Sequence, residues 1–267
     1  MKNIFNRFSY ATILLKELVA TDFKLRYQNS FLGYLWSLLK PLFLFAILYI
    51  VFIKFLRADF GVPHSGVYLL LAVVVWGFFS EVTGTSIGSI VGKGDLLRKL
   101  NFPRYVVVLS TTVSASINLC LNMLVVFTFM IANGVEFHIR MLWAPFLFIE
   151  LILLGLALAF FLSAVFVKLR DISYLWDVAL QALFYLTPIL YKVSILPVYA
   201  QKILLLSPLA QIIQDLRYVL ISTNSDTVAS VYGNQQIRVV PVLLTIILAS
   251  LAAMYFRSRS RYFAEEV

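Results

Sequence analysis

Residues 141–167 read MLWAPFLFIELILLGLALAFFLSAVFV, a run whose one charge is Glu150. A helix needs about 20 apolar residues to cross the hydrocarbon of a bilayer, and this segment exceeds that. Working outward, five further runs share its character: 33–56, 68–91, 105–133, 174–191 and 240–256. The run at 174–191 is the shortest and stops at Thr187-Pro188, since proline removes a backbone donor. A β-barrel would show alternating segments of about ten residues, and these runs do not alternate. The fold class read here is all-α integral membrane, with six transmembrane helices in one domain over 1–267.

Composition agrees. Of 267 residues, 61% are hydrophobic and 13% charged, against about half and a quarter in an ordinary soluble domain; the mean hydropathy is +0.91. Soluble enzymes, disordered regions and fibrous proteins are excluded. The net charge of +9 is explained by position. Fourteen basic residues fall in one set of loops: Lys2, Arg7, Lys16, Lys24, Arg26, Lys93, Arg98, Lys99, Arg104, Lys168, Arg170, Arg257, Arg259 and Arg261. The opposite set holds Arg57, Arg140, Lys192, Lys202, Arg217 and Arg238. Cytoplasmic loops carry the excess, so a multi-pass protein of the cytoplasmic (inner) membrane with both termini cytoplasmic is expected, and nucleic acid is not an expected partner. Residues 1–30 lack the continuous apolar core of a signal peptide. Tyr10–Tyr27 mixes Leu14, Leu18 and Leu25 with Lys16, Glu17, Asp22, Lys24 and Arg26, which reads as an amphipathic helix in the inner interface.

Two motifs fail on context. Gly84-Thr85-Ser86-Ile87-Gly88 spells a nucleophile elbow, but that turn needs a strand-to-helix junction and a histidine partner. It lies within an apolar span, and the two histidines, His64 and His138, lie in loops. Small residues recurring as Ser80, Gly84, Gly88 and Gly92 suit close helix–helix approach instead. GSIVGKG at 88–94 is too short between its glycines for a phosphate loop and lacks the hydroxyl after the lysine. Cys120 alone excludes a disulfide framework and reads as a small buried packer. No carboxylate cluster has metal spacing, so no catalytic or metal residue is expected.

Polar side chains within spans are costly and are functional candidates by default. Glu81, Asn118, Asn122, Asp177 and Gln181 are the pathway candidates. Glu150 is a further intramembrane charge, Ser110 and Ser114 extend the Asn118–Asn122 stripe at four-residue spacing, and Lys40 beside Pro41 can snorkel. Hydrogen bonding between helices and a polar lining for a hydroxyl-rich solute both fit these residues. Tyr34 and Trp36 read as interface anchors.

Three segments together resemble one family. Phe23-Lys24-Leu25-Arg26-Tyr27-Gln28 with 32–42 (LGYLWSLLKPL), 94–104 (GDLLRKLNFPR) and Ser207-Pro208-Leu209-Ala210 resemble the ABC-2 membrane subunits that export polysaccharides such as O-antigen, teichoic acid and rhamnose-rich or galactan wall polymers. The resemblance implies a homodimer of this chain docked on a separate nucleotide-binding ATPase, which holds ATP and magnesium, while this chain holds no cofactor and performs no chemistry. Residues 94–103 resemble the cytoplasmic coupling helix, implying ATPase contact through Asp95, Leu96, Leu97, Arg98, Leu100 and Phe102; read from the residues alone, Asp95 suits a helix start and Pro103 its end. Residues 10–27 resemble the interface helix, where Lys24, Arg26 and Tyr27 would meet the headgroup of a lipid-linked polysaccharide. Residues 193–221 resemble two outer re-entrant gate helices, and Pro197 and Pro208 each suit a helix start.

The expected function is export of a lipid-linked cell-surface polysaccharide across the cytoplasmic membrane. Rival readings are an ABC-2 exporter of lipid or drug, an ion-coupled secondary transporter working through Glu81 and Glu150, and a membrane glycosyl- or polyprenyl-transferase, whose acidic metal or phosphate site the sequence lacks.

Overall fold

In the computed structural model the chain is described over residues 2–27, 33, 35–56, 64–99 and 102–266. It is helical, with no strand among the described residues. The helices are α1 (Lys2–Tyr27), α2 (Leu35–Leu48), α3 (Ser65–Ile87), α4 (Ser89–Gly92), α5 (Gly94–Lys99), α6 (Tyr105–Ala132), α7 (Ala144–Lys168), α8 (Ile172–Leu186), α9 (Val198–Leu205), α10 (Pro208–Leu220), α11 (Val228–Tyr232), α12 (Val239–Arg259) and α13 (Phe263–Glu266). A π-helical run, Tyr49–Phe55, extends α2.

α3 is the axis of the bundle. Its sequence is apolar at nearly every position from Val67 to Trp76, and all of those residues are buried. A helix that is apolar all round has to be surrounded, and α3 packs against α2, α6, α7, α8 and α10. Its contact with α7 is close because Gly155 has no side chain: a Cβ there would lie 2.7 Å from Val82 Cγ1 and 3.3 Å from Phe78. At the end of the bundle where Lys93, Arg98, Lys168 and Arg257 collect, a second core gathers Ala11 and Leu18 of α1 with Phe102, Val107, Val167, Phe256 and Phe263. The Phe256 ring is the hub, 4.8 Å from Phe160 and 5.4 Å from Phe263.

Five helical segments are long and apolar enough to cross a membrane: Leu35–Phe55, Ser65–Ile87, Tyr105–Ala132, Ile139–Lys168 and Gln235–Arg259. The chain is a multi-pass membrane protein. The region expected as span 174–191 differs from that expectation. α8 has 15 residues and rises about 22 Å, short of the hydrocarbon thickness. It stops because Thr187 precedes Pro188 and takes an extended conformation, as a residue before proline is driven to do. α9 and α10 follow, bent by 97° at Leu206-Ser207.

Two single-residue expectations are corrected. Cys120 is exposed, because it lies two positions from both Asn118 and Asn122 and so on the opposite face of α6 from those buried residues. Arg217 does not lie in a loop: it is in α10 and fully buried.

Candidate functional site

Pro41 lies inside α2 and has no N–H to give the carbonyl four residues back, that of Ser37. The Asn122 side chain replaces it: Nδ2 donates to Ser37 O at 3.2 Å and to Asn118 O at 2.8 Å. Asn118 Nδ2 in turn donates to Glu81 Oε1 at 2.7 Å. A chain of amides thus runs from α2 across α6 to the carboxylate on α3. Around it opens a cleft of about 800 Å³, bordered by Trp36, Lys40, Ser80, Glu81, Asn118 and Asn122 among others. Trp36 faces this cleft, and Tyr34 lies outside the described residues.

Toward the basic end the cleft adjoins a second hollow of about 450 Å³, with Thr85 on the wall of both. Asp22, Lys93, Ser89, Thr111 and Ser114 border it. Lys93 Nζ reaches both Asp22 oxygens, at 3.1 and 3.2 Å, which pins α1 across its mouth. The Ser86 and Thr111 hydroxyls share a hydrogen bond of 2.7 Å between α3 and α6. Ser114 Oγ and Asn118 Oδ1 are buried with no partner among the described residues.

The glycines explain why there is room. Gly77, Gly84, Gly88 and Gly92 would each meet nothing within 4 Å if given a Cβ, and Ser80, Gly84, Gly88 and Gly92 border the two hollows. The expectation of close packing along this stripe is therefore corrected. Among the described residues nothing beyond the local helix lies within 4 Å of a Cβ placed at these glycines, and Gly155 makes the close approach to α3 instead.

The pathway candidates divide. Glu81, Asn118 and Asn122 come together; Asp177 and Gln181 are exposed on α8 and border neither hollow. Glu150 lines a separate cavity between α7, α10 and α12, so the two carboxylates of the ion-coupled reading occupy different sites. At the basic end α5 exposes Asp95, Arg98 and Lys99, Leu96 packs partly buried against the second core, and Phe102 is buried within it. Leu97's side chain and Leu100 lie outside the described residues. Lys24 is exposed near the end of α1; the side chains of Arg26 and Tyr27 fall outside those described.

One structural centre escaped the sequence. Arg217 donates from Nε to Tyr68 O at 3.2 Å, from Nη1 to Pro188 O at 2.6 Å and from Nη2 to Ile189 O at 3.0 Å. Its guanidinium lies 3.6 Å from the centre of the Tyr68 ring, and the Tyr68 hydroxyl donates to Gln214 Oε1 at 3.1 Å. The planar fork of arginine suits three carbonyls in a way lysine cannot. Only the run Gln211, Gln214, Arg217 along α10 hinted at it, and a polar run in a short helix reads equally as surface.

The sequence profile of the ABC-2 type transporter family matches residues 13–221, which takes in both hollows, α5 and the α9–α10 bend. The chain belongs to the ABC-2 type transporter family. Among its relatives, the O-antigen export system permease protein RfbA of Klebsiella pneumoniae is 27% identical over 205 residues, covering 76% of this chain and 78% of the relative. The protein of that name from Myxococcus xanthus is 27% identical over 262 residues, covering 95% of each. The two hollows, which share Thr85, mix hydroxyl, amide and glycine positions with apolar side chains such as Leu44, Val73, Trp76 and Phe78.

Proposed function

We propose that this chain is the membrane-spanning permease subunit of an ATP-driven exporter of a lipid-linked cell-surface polysaccharide, acting in the cytoplasmic membrane with both termini cytoplasmic. The observation that carries the reading is the pair of hollows joined at Thr85, with glycines on one wall and Glu81, Asn118, Ser114 and Thr111 presenting hydrogen-bonding groups. A sugar polymer carries many hydroxyls and little charge, so a wall of hydroxyls and amides exchanges hydrogen bonds with it at low net cost. The names borne by the relatives from Klebsiella pneumoniae and Myxococcus xanthus support that substrate class.

Two copies would act together. α2 buries only Phe45 within the protomer, and α8 buries nothing fully, so both keep broad apolar faces alongside exposed Asp177 and Gln181. ATP and magnesium would be held by a separate ATPase. The 94–103 segment would touch that partner through Asp95, Leu97, Arg98 and Leu100, with Leu96 and Phe102 fastening it to the bundle. α1, with Lys24, Arg26 and Tyr27, would meet the lipid-linked headgroup, and the bent α9–α10 pair would form the outer gate. This subunit would move the polymer and make or break no bond in it.

The test is complementation of a strain lacking the gene, reading surface polysaccharide together with co-purification of the ATPase. Leu97→Asp combined with Leu100→Asp is expected to abolish both while the chain still reaches the membrane. Retention of the ATPase and of export in that variant would remove the coupling role.

A further inference from the structure

A third hollow, of about 670 Å³, lies between α7, α10 and α12, apart from the polar passage. Its walls include Phe146, Ile149 and Leu153 of α7 and Val242 and Ile246 of α12. Phe146 and Ile149 are more than 60% exposed, so this wall is open to hydrocarbon when the chain is in a bilayer. The volume is in the range of small-molecule sites.

The other lining is strongly polar. Glu150, Gln211 and Asp215 are all more than nine-tenths buried. Gln211 Nε2 donates to Asp215 Oδ2 at 2.7 Å, yet Glu150 Oε1, Gln211 Oε1 and Asp215 Oδ1 have no hydrogen-bond partner among the described residues. Arg238 borders the same hollow, and its buried Nε is also without a partner there. Arg140 stands at the rim, its Nε donating to Val219 O at 3.4 Å. Among the described residues no ion pair joins either arginine to either carboxylate.

Three unmet acceptors and one unmet cationic donor are the complement of a zwitterion. An ammonium supplies three N–H donors, and a phosphate accepts from a guanidinium. A bare anion would meet the two carboxylates, and a bare inorganic cation would leave the arginines and the apolar wall without use. We propose that this groove binds an aminophospholipid of the phosphatidylethanolamine class. Its ammonium is taken by Glu150, Gln211 and Asp215, its phosphate by Arg238 with Arg140, and an acyl chain lies along Phe146, Ile149 and Ile246. The bound lipid ties α10 to α7 and α12. This site stands apart from the polysaccharide reading and would survive the failure of that reading.

The experiment is native mass spectrometry of the purified full-length chain with an equimolar mixture of phosphatidylethanolamine, phosphatidylcholine and phosphatidylglycerol of identical acyl chains. Trimethylation in the second lipid removes every N–H donor, and the third has no amine. The wild-type chain is expected to retain phosphatidylethanolamine about tenfold over both, equivalent to about 1.4 kcal/mol. Glu150→Gln and Asp215→Asn are each expected to lower that preference toward equality. Equal retention of the three lipids by the wild-type chain overturns the proposal without reference to any variant. So does a preference that persists in both variants.

Discussion

Asn122 of α6 donates its amide to the carbonyl of Ser37, the acceptor that Pro41 deprives of its helical partner. A residue expected to line a pathway thus also repairs a proline-interrupted span, and the repair fixes where α2 stands against α6. Asn122→Ala is expected to lower stability by about 1 kcal/mol, the usual worth of such a bond in water or membrane. With Pro41→Ala in the background the cost should shrink, because residue 41 then supplies its own N–H. Denaturant unfolding of the four chains in one detergent measures this coupling; equal costs in both backgrounds would dissolve the link.

Gly84 and Gly155 lie on facing helices and should respond in opposite ways. Gly84→Ala meets nothing within 4 Å and is expected to raise stability by about 0.5–1 kcal/mol, since glycine weakens a helix interior. Gly84→Leu should still fold yet obstruct the passage and reduce export. Gly155→Ala must push aside Val82 Cγ1 at 2.7 Å and is expected to destabilise by about 1–3 kcal/mol through overpacking. Thermal melts and a surface-polysaccharide assay separate the outcomes, and a Gly84→Leu chain that exports normally would take the passage away from this face.

Lys93 and Asp22 hold α1 over the hollow at the basic end, with about a fifth of each side chain exposed. Asp22→Asn is expected to loosen α1 by about 1 kcal/mol, a value at the upper end for partly solvated pairs, and to increase protease cleavage within residues 10–25. Exchanging the two charges in Asp22→Lys with Lys93→Asp should restore protection. Failure of the exchange alongside failure of each single change would mean that Lys93 acts through Ser110, 3.5 Å from its Nζ, rather than through the ion pair.

Arg217 is the most demanding position in the fold. Arg217→Lys concentrates its donors on one nitrogen and cannot span the three carbonyls that Nε, Nη1 and Nη2 reach separately, so a loss of about 3 kcal/mol or more is expected. Arg217→Met removes the charge but abandons all three carbonyls and should be no better. The melting temperature and the yield of folded chain after membrane extraction report this. A stable Arg217→Lys protein would show that the clamp on Tyr68, Pro188 and Ile189 is dispensable.

Much of the architecture was legible because a bilayer imposes length and polarity on each segment separately. The run at 141–167 declares a span whatever surrounds it, and Glu81, Asn118 and Asn122 stand out because hydrocarbon penalises each of them individually. The run at 174–191 stays apolar beyond Thr187-Pro188, the stop that the sequence itself marks, and α8 ends there at Leu186. Asp177 and Gln181 carry the same local signal as Asn118 and Asn122, yet they face outward while the latter face a cleft. Nothing local distinguishes the two pairs, because both obey the same four-residue helical spacing.

By itself, the sequence determined that this protein lives in a membrane, that it is helical, where most of its spans run, which end collects the basic residues and which family its motifs resemble. Each of these follows from local chemistry: the cost of polar groups in hydrocarbon, the rise of a helix and the distribution of charge. Only the tertiary structure decided that Ser80, Gly84, Gly88 and Gly92 border open space while Gly155 makes the close contact. It likewise decided that Arg217 is buried on three carbonyls, and that Glu150 shares a hollow with Gln211 and Asp215 rather than with Glu81. Helical periodicity fixes which residues share a face; which neighbour meets that face, or whether any does, is settled only when the helices pack.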